Sequence, residues 1–192
     1  MSDDVVDDTT PLAAGRFSVW LDEINGALRD ERPSDVPCNG CTACCRSSQF
    51  VHIGPDELDT LARIPVGLLF PAPGQAEGNV VLGYDENGNC PMLIDDKCSI
   101  YEHRPWTCRT YDCRIFTATG VDVDEAQPEI AHRVARWRFD FLDALDQEQY
   151  AAVQTMAVQI GERTNGMQQA VLAIEIHQEW VEREKDSLRD GA

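Results

Sequence analysis

The sequence predicts an α+β fold, in which a small cysteine-rich sheet-and-loop module packs against helices and the C-terminal third is mainly α-helical. Apolar residues recur at helical spacing near both ends of the chain, in residues 15–30 and again from 128 to 187. Short strand-like runs separated by turn residues occupy the middle. All eight cysteines fall between residues 38 and 113, which gives the module its boundaries.

The N-terminal residues 1–14 carry four aspartates among small and polar residues, and this composition predicts a disordered acidic tail. Residues 15–188 are long enough to form one domain with its own hydrophobic core. The first helix is expected over residues 15–30, with an apolar face formed by Phe17, Trp20, Leu21, Ile24 and Leu28.

The central region predicts a small antiparallel sheet. FVHI (50–53) is expected to be a short strand, and GPDELDTLARI (54–64) a helix that begins near Pro55. The Pro- and Gly-rich residues 65–79 read as a loop. Three further strand-like runs follow, each bounded by turn residues: VVLGY, CPMLI and CSIY.

The C-terminal tract from about 128 to 187 predicts helices broken near Gln147 and at Asn165-Gly166. One apolar face comprises Ile130, Val134, Trp137, Phe141 and Leu145; later faces comprise Ala152, Met156 and Ile160, and then Val171, Ile174, Ile176, Trp180 and Val181. Stripes of this kind indicate packed core more often than a cofactor site.

The charge and the apolar pattern exclude several classes of function. A formal net charge of −18 with only two lysines would repel phosphate backbones and anionic membranes, so no nucleic-acid or membrane partner is expected. No stretch approaches the roughly 18–20 apolar residues of a membrane span, and the N-terminus lacks the pattern of a signal peptide. We therefore expect a cytoplasmic protein, where clustered cysteines indicate metal or redox chemistry rather than structural disulfides.

The cysteine spacing predicts a thiolate-bound metal centre. Two C-x2-C steps in series let several sulfurs converge on one ion, and Gly40 suits the turn between the first two cysteines. Twenty consecutive residues between Asp35 and Asp56 lack a carboxylate, which suits a site where thiolates already bring negative charge. The candidate ligands are Cys38, Cys41, Cys44, Cys45, Cys90, Cys98, Cys108 and Cys113.

The residues alone leave the identity of the metal open. The C-x2-C-x2-C spacing and the Cys90-Pro91 pair are typical of bacterial ferredoxin loops, which favours an iron-sulfur centre, with 4Fe-4S preferred. Zinc or an iron ion remains the alternative, since eight cysteines can also fill two four-thiolate sites. His52 and His103 lie close enough in sequence to complete a mixed site. A cysteine nucleophile is disfavoured, because it needs an isolated thiolate beside a base.

Residues next to the later cysteines are expected to support the centre. Arg104 and Arg109 are candidates for donating hydrogen bonds to sulfur or offsetting the charge of a thiolate–metal centre, although surface ion pairs are an equal alternative. Tyr101 is expected to cover the site and limit its contact with water. We therefore count Tyr101, Arg104 and Arg109 as cofactor-binding candidates.

These motifs resemble the YkgJ-like bacterial cysteine-cluster family, CxxCxxCC, described as zinc- or iron-chelating. The match consists of CNGCTACC, then CPML, then CSIYEHRPWTCR, and it spans about residues 38–113. Cys113 is the weakest match. The segment also looks similar to the cysteine-rich part of flagellin lysine methylases, for which the resemblance implies an iron-sulfur cluster.

The resemblance implies a metal centre and fixes neither an activity nor catalytic residues. We expect redox or metal-dependent modification chemistry, for example as an oxidoreductase or a component of a protein-modifying enzyme. The alternatives are a module stapled by zinc that binds a protein partner, or a protein for metal storage or delivery.

Overall fold

The computed structural model describes residues 9–34, 36, 40–161 and 165–190. It confirms the α+β class: helices and several small sheets alternate along the chain, and long helices dominate its C-terminal part. The contacts divide the described residues into two compact units. The first unit comprises residues up to 22, 113–122 and from 132 onward; the second comprises 23–112 and 123–131. The single metal-binding domain over 15–188 stays a prediction.

The first unit is built on a two-stranded parallel pairing, the N-terminal part of one helix and three further helices. Strand β1 (Leu12–Arg16) pairs with β7 (Trp137–Asp140), Leu12 standing opposite Trp137. Helix α1 (Phe17–Leu28) follows β1 directly. Helices α4 (Arg114–Thr119), α6 (Ala144–Ile160) and α7 (Gly166–Asp190) pack on one another. The largest fully buried side chains of this unit are Trp20, Trp137, Phe17, Ile115, Ile174, His177, Val153 and Thr119.

The second unit holds the short elements that carry most of the cysteines. Strands β2 (Val51–Ile53), β3 (Leu69–Pro71) and β4 (Val80–Leu82) form an antiparallel sheet in the order β2-β4-β3. Strands β5 (Leu93–Ile94) and β6 (Lys97–Cys98) form a separate hairpin. Helix α2 (Leu58–Leu61), helix α3 (Trp106–Thr110) and part of α5 (Pro128–Val134) complete it.

A small apolar core supports these elements of the second unit. Its buried residues are Ile53, Ile64, Leu82, Met92 and Ile100. Cys90 and Cys98 pack against this core at partial burial, so both thiols stand at the edge of the apolar interior. The core therefore directly positions Cys90 and Cys98, which form the second group of cysteines.

Several predicted elements differ from the observed ones. The strand at 50–53 is confirmed as β2, and the break at Asn165-Gly166 coincides with the start of α7. The predicted helix at 54–64 is a single turn, α2, and the predicted loop at 65–79 contains β3. Strand β1 begins at Leu12, inside the predicted tail, where Ala14 is fully buried. Residues 1–8 lie outside the described residues.

The largest error is β7, which replaces part of the predicted C-terminal helix. Trp137 and Phe139 alternate with Arg138 and Asp140, so the segment also has the period of a strand. Trp137 is 1% exposed and pairs with β1 across 125 positions of sequence, which decides between the two periods. The helical tract is therefore interrupted at 135–143 rather than near Gln147. No described helix has both the length and the apolarity needed to cross a membrane.

Candidate metal centre

The first cysteine loop is a compact turn held by its own backbone and hydroxyl groups. Gly40 adopts φ +80°, a left-handed conformation that suits glycine. A short 3₁₀ helix, Cys44–Arg46, follows, and the Ser47 hydroxyl donates to the Ala43 carbonyl oxygen at 2.6 Å. Cys41, Cys44 and Cys45 are half-buried in this loop. Cys38, which was also predicted to be a ligand, lies outside the described residues.

Backbone hydrogen bonds join this loop to the second group of cysteines. The Cys90 amide donates to the Cys45 carbonyl oxygen at 2.7 Å, and the Ser48 amide donates to the Gly88 carbonyl oxygen at 3.0 Å. Two segments more than forty residues apart are thereby fixed side by side. Cys98 follows in β6, opposite Leu93, whose amide donates back to Cys90 at 2.9 Å.

Cys108 is presented by the short helix α3, which a carboxylate holds in place. The side chain of Glu57 accepts a hydrogen bond from the Trp106 amide, the first residue of α3, at 2.6 Å. Its other oxygen accepts from the Gly54 amide at 2.9 Å, and the side chain is only 12% exposed. The Thr107 hydroxyl donates to the His52 carbonyl oxygen at 2.8 Å, which ties α3 to β2 as well.

Six cysteines from these three segments line one cavity of about 450 Å³ in the second unit. They are Cys41, Cys44, Cys45, Cys90, Cys98 and Cys108. Leu82, Met92 and Ile100 of the apolar core supply part of the wall. Among the described residues, no group of three or more His, Cys, Asp or Glu side chains is close enough together to hold a metal ion. The sulfurs thus share a cavity without forming a closed coordination shell.

Burial favours the protonated form of two cavity thiols, Cys90 and Cys108. The pKa of Cys90 is raised, first because burial penalises the thiolate, with the Met92 amide acting in the opposite direction. Burial raises the pKa of Cys108 to about 12, and the neighbouring Cys45, Cys90 and Cys98 add to the shift by repulsion. Cys108 lines the cavity and keeps an exposed surface there. A bound cation would relieve both causes, because it stabilises the deprotonated sulfur.

Cys113, also predicted to be a ligand, has a different environment, in the first unit. It is 7% exposed and precedes α4, and its Sγ accepts a hydrogen bond from the Trp137 indole Nε1 at 3.2 Å. It is absent from the described lining of the cavity. Its role as a ligand stays a prediction, and its surroundings are those of a packed core thiol.

The three predicted supporting residues have different positions. Tyr101 and Arg104 both line the cavity, and the Arg104 guanidinium stacks over the Tyr101 ring at 4.0 Å. Arg109 is not part of the described lining: its guanidinium lies 5.3 Å from the Trp106 ring centroid and 3.8 Å from a Glu57 oxygen. Contact of Arg109 with a cofactor therefore stays a prediction.

Of the two histidines considered as ligands, His52 has its ring engaged elsewhere, while His103 makes its contact through the backbone. His52 Nε2 lies 2.9 Å from the Asn79 side-chain oxygen, and the His103 backbone carbonyl accepts a hydrogen bond from Thr60 at 2.8 Å. Neither belongs to the described lining of the cavity. The donors that the described lining offers are thus dominated by sulfur.

Sequence reasoning missed Glu57 and Lys97. Glu57 accepts a hydrogen bond from α3, 49 positions later in the sequence, and no local pattern predicts such a contact. Lys97 lines the cavity immediately before Cys98. The sequence did offer a reason to consider Lys97, because it is one of only two lysines in the chain.

The donor set fits a thiophilic metal. Thiolates select zinc, Cu(I) and iron-sulfur clusters, whereas magnesium and calcium need oxygen ligands. The only carboxylate in the described lining is Asp96, which pairs with Arg46. The residues present therefore suit zinc or an iron centre and do not suit a hard cation.

Comparison with protein-family models returns one match, the family CxxCxxCC, described as "Putative zinc- or iron-chelating domain", over residues 37–127. Comparisons with curated proteins and with solved structures return no match. The matched segment includes every cysteine that lines the cavity. Residues 37–127, a little under half of the chain, are thus similar to the CxxCxxCC family of zinc- or iron-chelating domains, and this similarity supports zinc or iron binding in general.

Proposed function

We propose that the protein holds an iron-sulfur centre, preferably 4Fe-4S, in the cysteine-lined cavity and uses it for redox or metal-dependent modification chemistry. The observation that carries this proposal is the convergence of six cysteines from three segments on one cavity of about 450 Å³. Metal binding in general is supported by the match of residues 37–127 to a model described as a zinc- or iron-chelating domain. The choice of an iron-sulfur centre is our inference.

Two features support iron-sulfur over a single ion. The C-x2-C-x2-C spacing is that of a ferredoxin ligand loop, and Cys90-Pro91, although remote in the sequence, has the form of that loop's fourth ligand. The cavity also has room for more than an ion, whose bonds to sulfur are only about 2.3 Å long. We propose Cys41, Cys44, Cys45, Cys90, Cys98 and Cys108 as the pool from which ligands are drawn, together with Cys38 of the same loop.

The residues of the chain would control such a centre in two ways. Leu82, Met92 and Ile100 exclude water from one side of the cavity, which lowers the local dielectric and shifts the reduction potential of a bound cluster. Arg104 on the cavity wall offsets negative charge on the thiolates. When bound, an iron-sulfur cluster supplies one-electron transfer.

The second candidate function is a structural zinc site. The small size of the secondary-structure elements in the second unit favours it. Strands β5 and β6 are two residues long each, and the core beneath them has five buried residues. A structural zinc would stabilise so small a unit directly, because its binding energy becomes folding energy. In that case the protein would present its surface to a protein partner. A storage or delivery protein would instead carry several exchangeable ions.

Anaerobic purification followed by analysis of iron, zinc and acid-labile sulfide separates these functions. The iron-sulfur proposal expects a brown protein with iron and sulfide in comparable amounts. One zinc per chain without sulfide would reject it in favour of the stapled module. Several exchangeable ions per chain would instead support storage or delivery. The reducing cytoplasm, our proposed location, suits all three, because it keeps the cysteines available as thiols.

A further inference from the structure

We propose that the cavity also binds a small organic anion with an apolar body, whose charged group is taken by Lys97 and Arg104. This site goes beyond the metal centre, although the two share the cavity. The proposal does not depend on which metal is bound. It rests on the size of the cavity, the nature of its wall and the charges on that wall.

The size and the wall are those of a site for a small molecule. Pockets of about 300–1,000 Å³ with apolar walls and a few polar groups are typical of such sites. This cavity is about 450 Å³, and Val51, Leu82, Met92 and Ile100 give it a continuous apolar side that belongs to the core of the second unit or packs against it. Phe50, 63% exposed, adds an aromatic side chain to the lining. The apolar part of a bound anion would therefore pack against this side of the cavity.

The charges on the wall favour an anion. The chain has 34 acidic residues against 16 lysines and arginines, yet the described lining has two cations, Lys97 and Arg104, and one acid, Asp96. Asp96 forms its ion pair with Arg46. Neither Lys97 nor Arg104 forms an ion pair with any carboxylate of the described residues. In so acidic a protein, two cations without a carboxylate partner among the described residues are an exception, and they make this wall attractive to an anion.

The two cations lie seven positions apart in the sequence, and both line the cavity. Lys97 lies in β6, next to Cys98, and Arg104 follows the short 3₁₀ helix Tyr101–His103. The Arg104 guanidinium is held by the Tyr101 carbonyl oxygen at 2.9 Å and by the ring of the same residue. A planar guanidinium fixed in this way is already oriented for a carboxylate, phosphate or sulfonate group. Lys97 is exposed, so the charged end of the guest would face the open side of the cavity.

Two fluorescent probes with the same ring system test this directly. 1-Anilinonaphthalene-8-sulfonate carries the sulfonate, whereas N-phenyl-1-naphthylamine lacks it. Binding of each is measured by fluorescence titration on the purified, metal-containing protein and on its Lys97→Met variant. Lys185→Met is the matched control, because Lys185 is the only other lysine and lies exposed on α7. Arg104→Met provides a second variant, with thermal unfolding recorded for all proteins.

We expect the sulfonate probe to bind about tenfold more tightly than the neutral one, as one hydrogen bond to a charged group predicts. Lys97→Met should remove most of that preference, while the neutral probe and the Lys185→Met protein are unaffected. Equal affinity for both probes, or a sulfonate affinity unchanged in both Lys97→Met and Arg104→Met, would overturn the proposal. Metal and sulfide analysis of the same samples reports on the metal centre separately, so failure of one proposal is distinguishable from failure of the other.

Discussion

Glu57 offers a direct test of how the fold presents Cys108. Its carboxylate accepts hydrogen bonds from the amides of Trp106 and Gly54, at 2.6 and 2.9 Å. Trp106 begins α3, and the preceding Pro105 makes no side-chain cap, so this amide depends on Glu57. A hydrogen bond to a charged group contributes about 1.5–3 kcal/mol. Glu57→Ala, which removes two, should therefore lower the free energy of unfolding by about 3 kcal/mol or more.

Glu57→Gln is the matched control, because glutamine keeps the length and one acceptor oxygen. It should cost about half as much, since one of the two amides would then face the NH₂ group. The contact with Arg109 at 3.8 Å adds little, because Arg109 is 37% exposed and pairs of this kind contribute about 1 kcal/mol or less. Urea unfolding of the reduced, metal-free proteins measures all three free energies.

The same variants report on the metal site. In cadmium-loaded protein, ligand cysteines are protected from alkylation, and mass spectrometry of peptides identifies which ones. Because Glu57 positions α3, Glu57→Ala should leave Cys108 open to alkylation while Cys45 stays protected; Glu57→Gln should give an intermediate result. The reasoning is refuted if Glu57→Ala loses less than about 1 kcal/mol of stability, below the value of even one charged hydrogen bond. Protection of Cys108 equal to that in the unmodified protein would refute it as well.

Two further predictions concern the cysteines and the buried histidine. Cys45→Ser should lower bound metal, whereas Cys113→Ser should retain it, because Cys113 is packed against Trp137 outside the described lining of the cavity; equal losses of metal would contradict this. His177 is 1% exposed, neither of its ring nitrogens has a hydrogen-bond partner among the described residues, and burial lowers its pKa. The folded state therefore keeps His177 neutral while the unfolded state takes up a proton below pH 6.5, so stability falls with decreasing pH by up to about 1.4 kcal/mol per unit. His177→Leu should flatten that loss in urea unfolding at about pH 7.5 and 5.5, and an identical loss in both proteins would argue against it.

The sequence was informative where structure is local. The strand β2 was predicted from the short run FVHI, and the start of α7 from the Asn-Gly break. Gly40 was expected in a turn and has the left-handed φ that favours glycine. These features depend on neighbouring residues, so a pattern over a few positions is enough to indicate them.

Features that depend on distant pairing were not predictable from the sequence. Strand β7 forms because β1 supplies its partner, and the pattern of the segment 137–141 fits a helix as well as a strand. The hydrogen bond from the Cys90 amide to Cys45 likewise joins segments that no local pattern relates.

In the candidate site, too, the local features were predicted from the sequence and the tertiary contacts were not. The cysteine spacing predicted a thiol-rich site, and six of the seven cysteines that the structure describes line one cavity. The sequence could not separate Cys113 from the others, because its burial beside Trp137 is a tertiary contact. Glu57 was missed for a related reason, because a single acidic residue has no spacing pattern; the rarity of lysine in this chain was the one signal that could have pointed to Lys97.

X-ray absorption spectroscopy at the edge of the native metal tests the central claim most directly. If sulfurs from the three segments close on one centre, the first shell should consist of sulfur alone, at about 2.3 Å. An iron-sulfur cluster would add a neighbouring iron shell, and zinc would not. A first shell dominated by nitrogen or oxygen would contradict the account, because it would mean that the cavity thiols do not hold the metal.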